Sequence, residues 1–479
     1  MALLSLPHPE GLKKLNKGLY VKKHTTSYLY LFILLSMSTN ISAGHCHQAI
    51  HCEPASTDVW MNVFLHGIIS ITPFSTLTNL LRFLNDNVAG SLYGQTVCAM
   101  REDSFFYQNQ PMQAPGLHPI DLANYSKGAA ASIMARIFNA TNNLNSPTKS
   151  TQLYYTYGWT GLLSRSVRYQ DSKQFLCELE QEIMRLRQLG LTPKIRLIGY
   201  SHGGSIILKL ALVKRLEQIK PTFSVDETYF LGTPIQYDTD YLIADPLFKK
   251  VYNIFSRSDR VQQLDFFSCG QFFSGQVFTP HFGFEKLPKN LTQIEIRLIR
   301  KAGEKCKRLT ADQECLPLLY DGVKWSRNIR NVSPGHTELW FFGWTPLNYR
   351  RSFVLYPLPL VAFLPFIINT ITPLADYFYS EYPITVTIDP RRNSMIVNNN
   401  APYEETIFKF PFVGMKNLIA FTQEVLQYAP DPFWYNYSLF NQHIEKALCH
   451  AAKCLCIKRD NYPPLKNKQL FLRQNDDIE

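Results

Sequence analysis

Pro193-Lys194-Ile195-Arg196-Leu197-Ile198-Gly199-Tyr200-Ser201-His202-Gly203-Gly204 is the stretch that decides the fold. Residues 195–198, Ile-Arg-Leu-Ile, read as a short buried strand. Residues 205–219 carry apolar side chains at helical intervals. Between them stands Gly199-Tyr200-Ser201-His202-Gly203, the pattern G-x-S-x-G. Five residues alone are a weak signal. A strand before and a helix after put the serine on the turn between them. A turn that sharp needs small residues two positions to either side, because side chains there would collide. It lifts the Ser201 hydroxyl clear of a sheet and sets it at a helix N-terminus, where partial positive charge favours a developing anion.

The same strand-and-helix rhythm extends outward. Residues 59–65 read as a compact apolar strand halted by His66-Gly67, and 153–157 as an aromatic strand closed by Gly158. Strands follow at 229–231, ended by Gly232-Thr233-Pro234, at 251–255 and at 294–299. Between them, a helix is expected near 127–138, and Phe175, Leu179, Ile183 and Leu186 give helical spacing across 172–189. Strands alternating with helices predict an α/β fold with a mostly parallel central sheet and helices on both faces. The rest of 101–149 is polar and Asn-rich and reads as connections.

The composition agrees with a large globular protein. With 46% hydrophobic and 18% charged residues in 479, the chain cannot be mostly disordered, and no repeat period suggests a solenoid or propeller. The formal net charge is +11. Lys13, Lys14, Lys17, Lys22 and Lys23 against Glu10 concentrate part of it in the first 43 residues. The remaining basic residues are scattered. This balance favours an anionic lipid surface, and the absence of a nucleic-acid-binding signature argues against nucleic acid.

Three segments are expected. Residues 1–43 run from lysines through an apolar stretch at 28–35 to the small residues Ser42, Ala43 and Gly44, the order of a secretory signal peptide. An uncleaved anchor is the alternative, since 27–44 carry no charge. The chain is thus expected to be exported: secreted, periplasmic or membrane-associated. Residues 44–345 form the main domain. Residues 346–479 form an apolar C-terminal extension: 352–375 lack any charge yet hold Pro357, Pro359, Pro365 and Pro373, which disfavour a regular spanning helix. Two readings stand for this stretch, a buried or lid-like segment and a lipid-contacting surface. Short strands are expected within 382–414, a helix at 416–428 and a polar tail from 459.

All ten cysteines follow the N-terminal segment. An exported chain permits disulfides, with Cys46–Cys52, Cys306–Cys315 and two among Cys449, Cys454 and Cys456 as local pairs. Cys449-His450 with Cys454 and Cys456 lacks the two spaced ligand pairs of a zinc site, so no metal is expected. Cys98, Cys177 and Cys269 sit among apolar neighbours and read as inert core thiols.

A serine nucleophile needs a base, and the base an orienting acid. Asp259 follows the strand at 251–255, at the carboxyl end where sites of such sheets lie. His336 lies beyond the last of these strands, in Pro334-Gly335-His336-Thr337-Glu338. Asp238, Asp240 and Asp265 compete with Asp259 for the acid, and His281 is the rival base. Two backbone N–H groups should hold the oxyanion: that of His202, next after the serine, and that of Ile68, in the loop His66-Gly67-Ile68. His66 has no neighbouring partner for a metal. Trp159 is a candidate for the substrate groove.

These residues together resemble the α/β-hydrolase superfamily, and within it secreted lipases and esterases, over about residues 59–342. Gly199-Tyr200-Ser201-His202-Gly203-Gly204 is close to the nucleophile elbow of bacterial lipases, Leu65-His66-Gly67-Ile68 to their oxyanion loop, and Gly232-Thr233-Pro234 recurs in lipase-like members. The order Ser201, Asp259, His336 is that of the superfamily. The resemblance implies acyl transfer through a serine ester, water as acceptor, a lipid or other ester as substrate, and no cofactor. The long interval from Asp259 to His336, with Phe266-Phe267, Phe272-Phe273 and the 306–315 segment, reads as a cap or leaves the acid elsewhere. Rival readings are a membrane-surface or host-interaction protein without turnover, and a phospholipase, acyltransferase, thioesterase or peptidase with the same triad. Asn124, Asn139, Asn290, Asn331 and Asn436 stand in N-x-S/T patterns.

Overall fold

Eleven strands share one sheet in the computed structural model. The structure describes residues 57–69, 86–88, 90–109, 114–123, 130–145, 150–257, 259, 261–262, 274–280, 286–301, 329–332, 336, 339, 360–375, 383–389, 394–398, 405–409 and 437–457. The first elements are β1 (Asp58–Leu65), α1 (Leu92–Glu102), α2 (Ser104–Asn109), β2 (Gly116–Pro119), α3 (Ala130–Asn145), β3 (Thr151–Gly158) and α4 (Arg165–Gln188). Then come β4 (Thr192–Tyr200), α5 (His202–Leu216), β5 (Glu227–Leu231), a 3₁₀ turn (Asp240–Ala244), β6 (Val251–Phe255), β7 (Leu291–Lys301) and β8 (Ile329–Val332). The last are α6 (Leu360–Ala375), β9 (Ile384–Asp389), β10 (Ser394–Asn398), β11 (Glu405–Lys409) and α7 (Tyr437–Cys454).

The strand order is β11-β10-β9-β7-β6-β5-β4-β1-β3-β2, with β8 beside β7. From β3 through β9 every neighbouring pair is parallel; β2, β8, β10 and β11 join antiparallel. The protein is therefore α/β with a mostly parallel sheet, as the alternating pattern predicts. The chain winds from β1 to β3 on one side, then crosses back through α4 to β4 on the other. Such a reversal opens a crevice beyond the carboxyl ends of the two strands. The register places Leu65 beside Gly199 and Tyr200 beside Leu231, so the ends of β1, β4 and β5 lie level there.

Both faces of the sheet are covered, which is why its strands read as nearly continuous apolar runs. Met61, Val63 and Leu65 alternate toward α4 and α5, where Phe175, Leu179, Ile183 and Leu186 are buried with Ile206 and Leu210. Phe64, Ile198, Tyr229 and Ile254 face the opposite side and pack with Met134 and Phe138 of α3 and with α6. The helix over 172–189 begins earlier than its apolar spacing shows, because the Ser164 hydroxyl caps it by accepting from the Val167 N–H.

The C-terminal third belongs to this same body. β9 pairs in parallel with β7, Ile294 opposite Ile384, so the expected boundary at 345/346 runs through one sheet. In the apolar 352–375 stretch, Phe363, Leu364, Ile367, Ile368 and Ile371 lie in the core over α3. The buried alternative thus describes residues 363–368 and Ile371 of that stretch. α7 packs along α1, with Leu448, Ala451 and Ala452 around Leu92. Among the described residues no helix is long and apolar enough to cross a membrane. The signal segment 1–43, the helix expected at 416–428, the polar tail, Cys269, Asp265, His281, Asn124, Asn436 and the pairs Cys46–Cys52 and Cys306–Cys315 lie outside the described residues.

Cys98, Cys177, Cys449, Cys454 and Cys456 are free thiols, so the last three form no pair among themselves. Cys98 and Cys177 correct the expectation of core thiols: both are exposed. Their neighbours in sequence are apolar, but the helical turn directs Phe175, Leu176 and Leu179 inward and Cys177 outward. Among the described residues no group of three or more His, Cys, Asp or Glu is placed to hold a metal ion.

Candidate active site

Ser201 stands between β4 and α5 with φ 51° and ψ −130°, a conformation that side-chain-bearing residues rarely adopt. The turn is closed by the Ser201 N–H donating to the Leu231 carbonyl (2.9 Å) and the Gly204 N–H to the Ser201 carbonyl (3.0 Å). The flanking small residues have a steric cause. A Cβ at Gly203 would lie 2.5 Å from the His66 carbonyl oxygen, and one at Gly199 2.7 Å from the backbone of Gly204. Ser201 is buried at 2% exposure, with its hydroxyl directed at His336.

His336 and Asp259 come together on that hydroxyl. His336 Nε2 is 3.0 Å from Ser201 Oγ, and His336 Nδ1 is 2.7 Å from Asp259 Oδ2. With Nδ1 donating to the carboxylate, Nε2 is left to accept the serine proton. Asp259 is fully buried at the end of β6, and the His336 ring lies 5.0 Å from that of Tyr200. Gly232, at φ +60°, makes the convergence possible: a Cβ there would stand 2.9 Å from Asp259 Oδ2 and 3.3 Å from His336 Nδ1. Two of the three rival acids lie elsewhere among the described residues. Asp238 pairs with Arg165 at 3.1 Å, and Asp240 is buried in the 3₁₀ turn.

The loop from β1 closes the site from the other side. A Cβ on Gly67 would touch Cβ of Ser201 at 3.0 Å, so the backbone leading to Ile68 passes directly over Ser201. His202 is the first residue of α5, where a backbone N–H has no partner within the helix. Both expected donors, Ile68 and His202, therefore adjoin Ser201 in space or in sequence. His66 pins the loop: its Nδ1 donates to the Gly67 carbonyl (2.6 Å), and its carbonyl accepts the Trp159 indole N–H (2.7 Å). The two rings stack with centroids 5.4 Å apart. Trp159 has no exposed surface, so it braces this loop rather than lining a groove.

Charges behind the loop are strongly shaped by burial. Burial and the nearby Arg101 charge hold the His66 imidazole neutral, well below its ordinary range. Arg168 of α4 is fully buried and donates from Nη1 to His202 Nδ1 at 2.6 Å, which leaves the His202 proton on Nε2. Asp171, accepting from the Thr160 hydroxyl (2.6 Å), is pushed up to about 6 by burial. Lys209, on the same face of α5 as His202, is pushed down to about 8, first by burial and then by Arg168. Burial raises the Tyr200 hydroxyl far above its ordinary value, with the Asp259 charge adding to the effect.

Arg101 and Arg168 were not legible from the sequence, since each meets a histidine distant in the chain, His66 and His202, and neither belongs to a local pattern. The arrangement as a whole can activate a hydroxyl for attack on an electrophilic carbon and return the proton to a leaving group. Searches against protein-family models, curated proteins and solved structures find no match to this chain.

Proposed function

We propose that the chain is a serine hydrolase of the α/β-hydrolase type that cleaves carboxylic esters, lipid esters foremost, with export through the 1–43 segment. The observation that carries this reading is the continuous path from Ser201 Oγ to His336 Nε2 (3.0 Å) and from His336 Nδ1 to Asp259 Oδ2 (2.7 Å), beginning at a strained serine on a strand-to-helix turn. Ser201 Oγ forms a bond to the ester carbonyl carbon while its proton passes to His336 Nε2. The carbonyl oxygen becomes an oxyanion facing the N–H groups of Ile68 and His202. As the tetrahedral species collapses, the C–O bond to the alcohol breaks and His336 returns the proton to the leaving oxygen. Water then attacks the acyl-serine, giving one proton to His336. Collapse expels the Ser201 oxygen, which takes that proton back, and the carboxylic acid departs. Asp259 holds the imidazole tautomer and stabilises the imidazolium.

The test is labelling with a fluorophosphonate probe followed by a panel of short esters, long esters, thioesters and peptides. The wild type should label and Ser201→Ala should not, with turnover confined to esters. Labelling with turnover of another acyl class would leave the triad and change the substrate, to a thioesterase or peptidase. A folded wild type that neither labels nor turns over any of them would sink the reading in favour of a binding protein on the same fold.

A further inference from the structure

Asp259 sits on a turn held by the side chain of Gln276, from another segment, and by Gln262, three residues further along. Gln276 Nε2 donates to the carbonyl of Ser256 (2.9 Å) and to that of Asp259 (2.6 Å), so one amide group spans the turn bearing the acid. The Gln262 N–H donates to Asp259 Oδ1 (3.1 Å), the carboxylate oxygen opposite the one that meets His336. The Gln262 side chain is fully buried, and its Nε2 reaches the Thr233 carbonyl (2.7 Å), joining the acid turn to the loop at Gly232 that abuts both Asp259 and His336.

Gln276 is itself fixed to the sheet. Its segment bonds to the loop after β5 through both Ile235 N–H to Gly275 carbonyl (2.9 Å) and Gly275 N–H to Ile235 carbonyl (2.7 Å). Its own carbonyl accepts from Asn253 of β6 (3.0 Å), which also donates to Gln293 of β7 (3.2 Å). Gln293 in turn bonds both backbone groups of Phe278, at 2.7 and 3.0 Å. A chain of amides, Gln293 and Asn253 buried and Gln276 half-buried, thus runs from the sheet floor to the turn that presents the carboxylate. Amide side chains can do this without adding charge beside the acid, which a lysine or arginine would do.

We propose that Gln276 and Gln262 are positioning residues for Asp259: together they fix its turn so that Oδ2 faces His336 Nδ1. The inference rests on the reading of Ser201, His336 and Asp259 as a triad. A carboxylate held against an imidazole favours the imidazolium, so a loosened acid turn lowers the pH at which the imidazole becomes a free base. Asp259, Ser201 and the Tyr200 ring are the described groups facing that imidazole.

The experiment is the rate of fluorophosphonate labelling against pH for the full chain, its Gln276→Met and Gln262→Met forms, and Ser201→Ala. Methionine keeps the volume and removes the side-chain Nε2 donors to the Ser256, Asp259 and Thr233 carbonyls, while the Gln262 backbone N–H to Asp259 Oδ1 stays. The plateau rate should fall about tenfold to a hundredfold, as misplacement of a catalytic group does, and the midpoint should move down by about half a unit or more. The midpoint does not depend on how much of a preparation is folded, so a stability loss alone leaves it in place. Should either methionine form fail to fold, Gln276→Asn and Gln262→Asn, which keep the amide but shorten its reach, must show the same downward shift. Folded variants with the wild-type midpoint overturn the proposal. A wild type that does not label overturns the triad reading instead.

Discussion

The Arg168 guanidinium, buried on α4, donates to Nδ1 of His202 on α5 across 2.6 Å. This bond ties His202, next to Ser201, to a helix that begins 37 residues earlier, at Arg165. It keeps the imidazole of His202 from turning at the residue whose backbone N–H the proposed mechanism sets against the oxyanion. Arg168→Lys keeps the charge but loses the rigid fork that fits this position. Ester turnover in that variant should fall about tenfold with KM little changed, because the loss falls on the transition state. Steady-state kinetics decide it, and an unchanged kcat would remove Arg168 from any role at the site.

Ser201 carries a backbone strain that glycine would not feel. Strain of this kind costs about 1–3 kcal/mol, and the greater freedom of glycine in the unfolded chain offsets part of it. Ser201→Gly should therefore unfold at higher denaturant than Ser201→Ala, by about 1 kcal/mol. Both should be inactive. Equal stability of the two would mean that the turn is relaxed.

Asp259→Asn changes little in shape and much in chemistry. An amide at this position can donate to His336 Nδ1, which selects the tautomer unable to accept the serine proton at Nε2. Turnover should drop about ten-thousandfold while the melting temperature stays near wild type. A loss of less than tenfold would point to another acid.

Lys209 gives a pH dependence of known sign. Its folded value of about 8 lies below the ordinary 10.5. Between those values the unfolded chain binds more protons at this group, so stability rises with pH there, and the whole cost is present below about 8. Lys209→Met should stabilise the protein at pH 7 by at most about 3 kcal/mol, with a smaller gain at pH 9.5. Urea unfolding at the two values measures it. A gain that does not shrink with pH would assign the effect to packing.

Ser201 was legible as a candidate nucleophile because three constraints meet around it: the strand 195–198, the glycines and the helix after them. The structure brings His336 and Asp259 onto Ser201 from 135 and 58 residues away. Their order along the chain pointed to them, but the distances needed the sheet. What stayed hidden depends on pairing across long intervals. The apolar texture after 346 suggested a separate extension, since nothing local tells β9 to lie beside β7. Trp159 looked available for substrate, because an aromatic after a strand carries no mark of the ring it will stack on. The exposure of Cys98 and Cys177 follows from helix phase, which a count of apolar neighbours ignores.

The joining of β9 to β7 and of α7 to α1 also governs when this protein becomes whole. His443 of α7 reaches back to Asp103, 340 residues earlier, with Nδ1 and Oδ2 2.5 Å apart. A nascent chain that has made Ser201, Asp259 and His336 still lacks the strands that extend its sheet and the α6 helix that covers one face. Contacts so distant in sequence make folding slow and late. Residues 360–457 thus complete the core around a Ser201 turn made long before, and a chain cut short after His336 would own every member of the proposed triad without the body that holds them together.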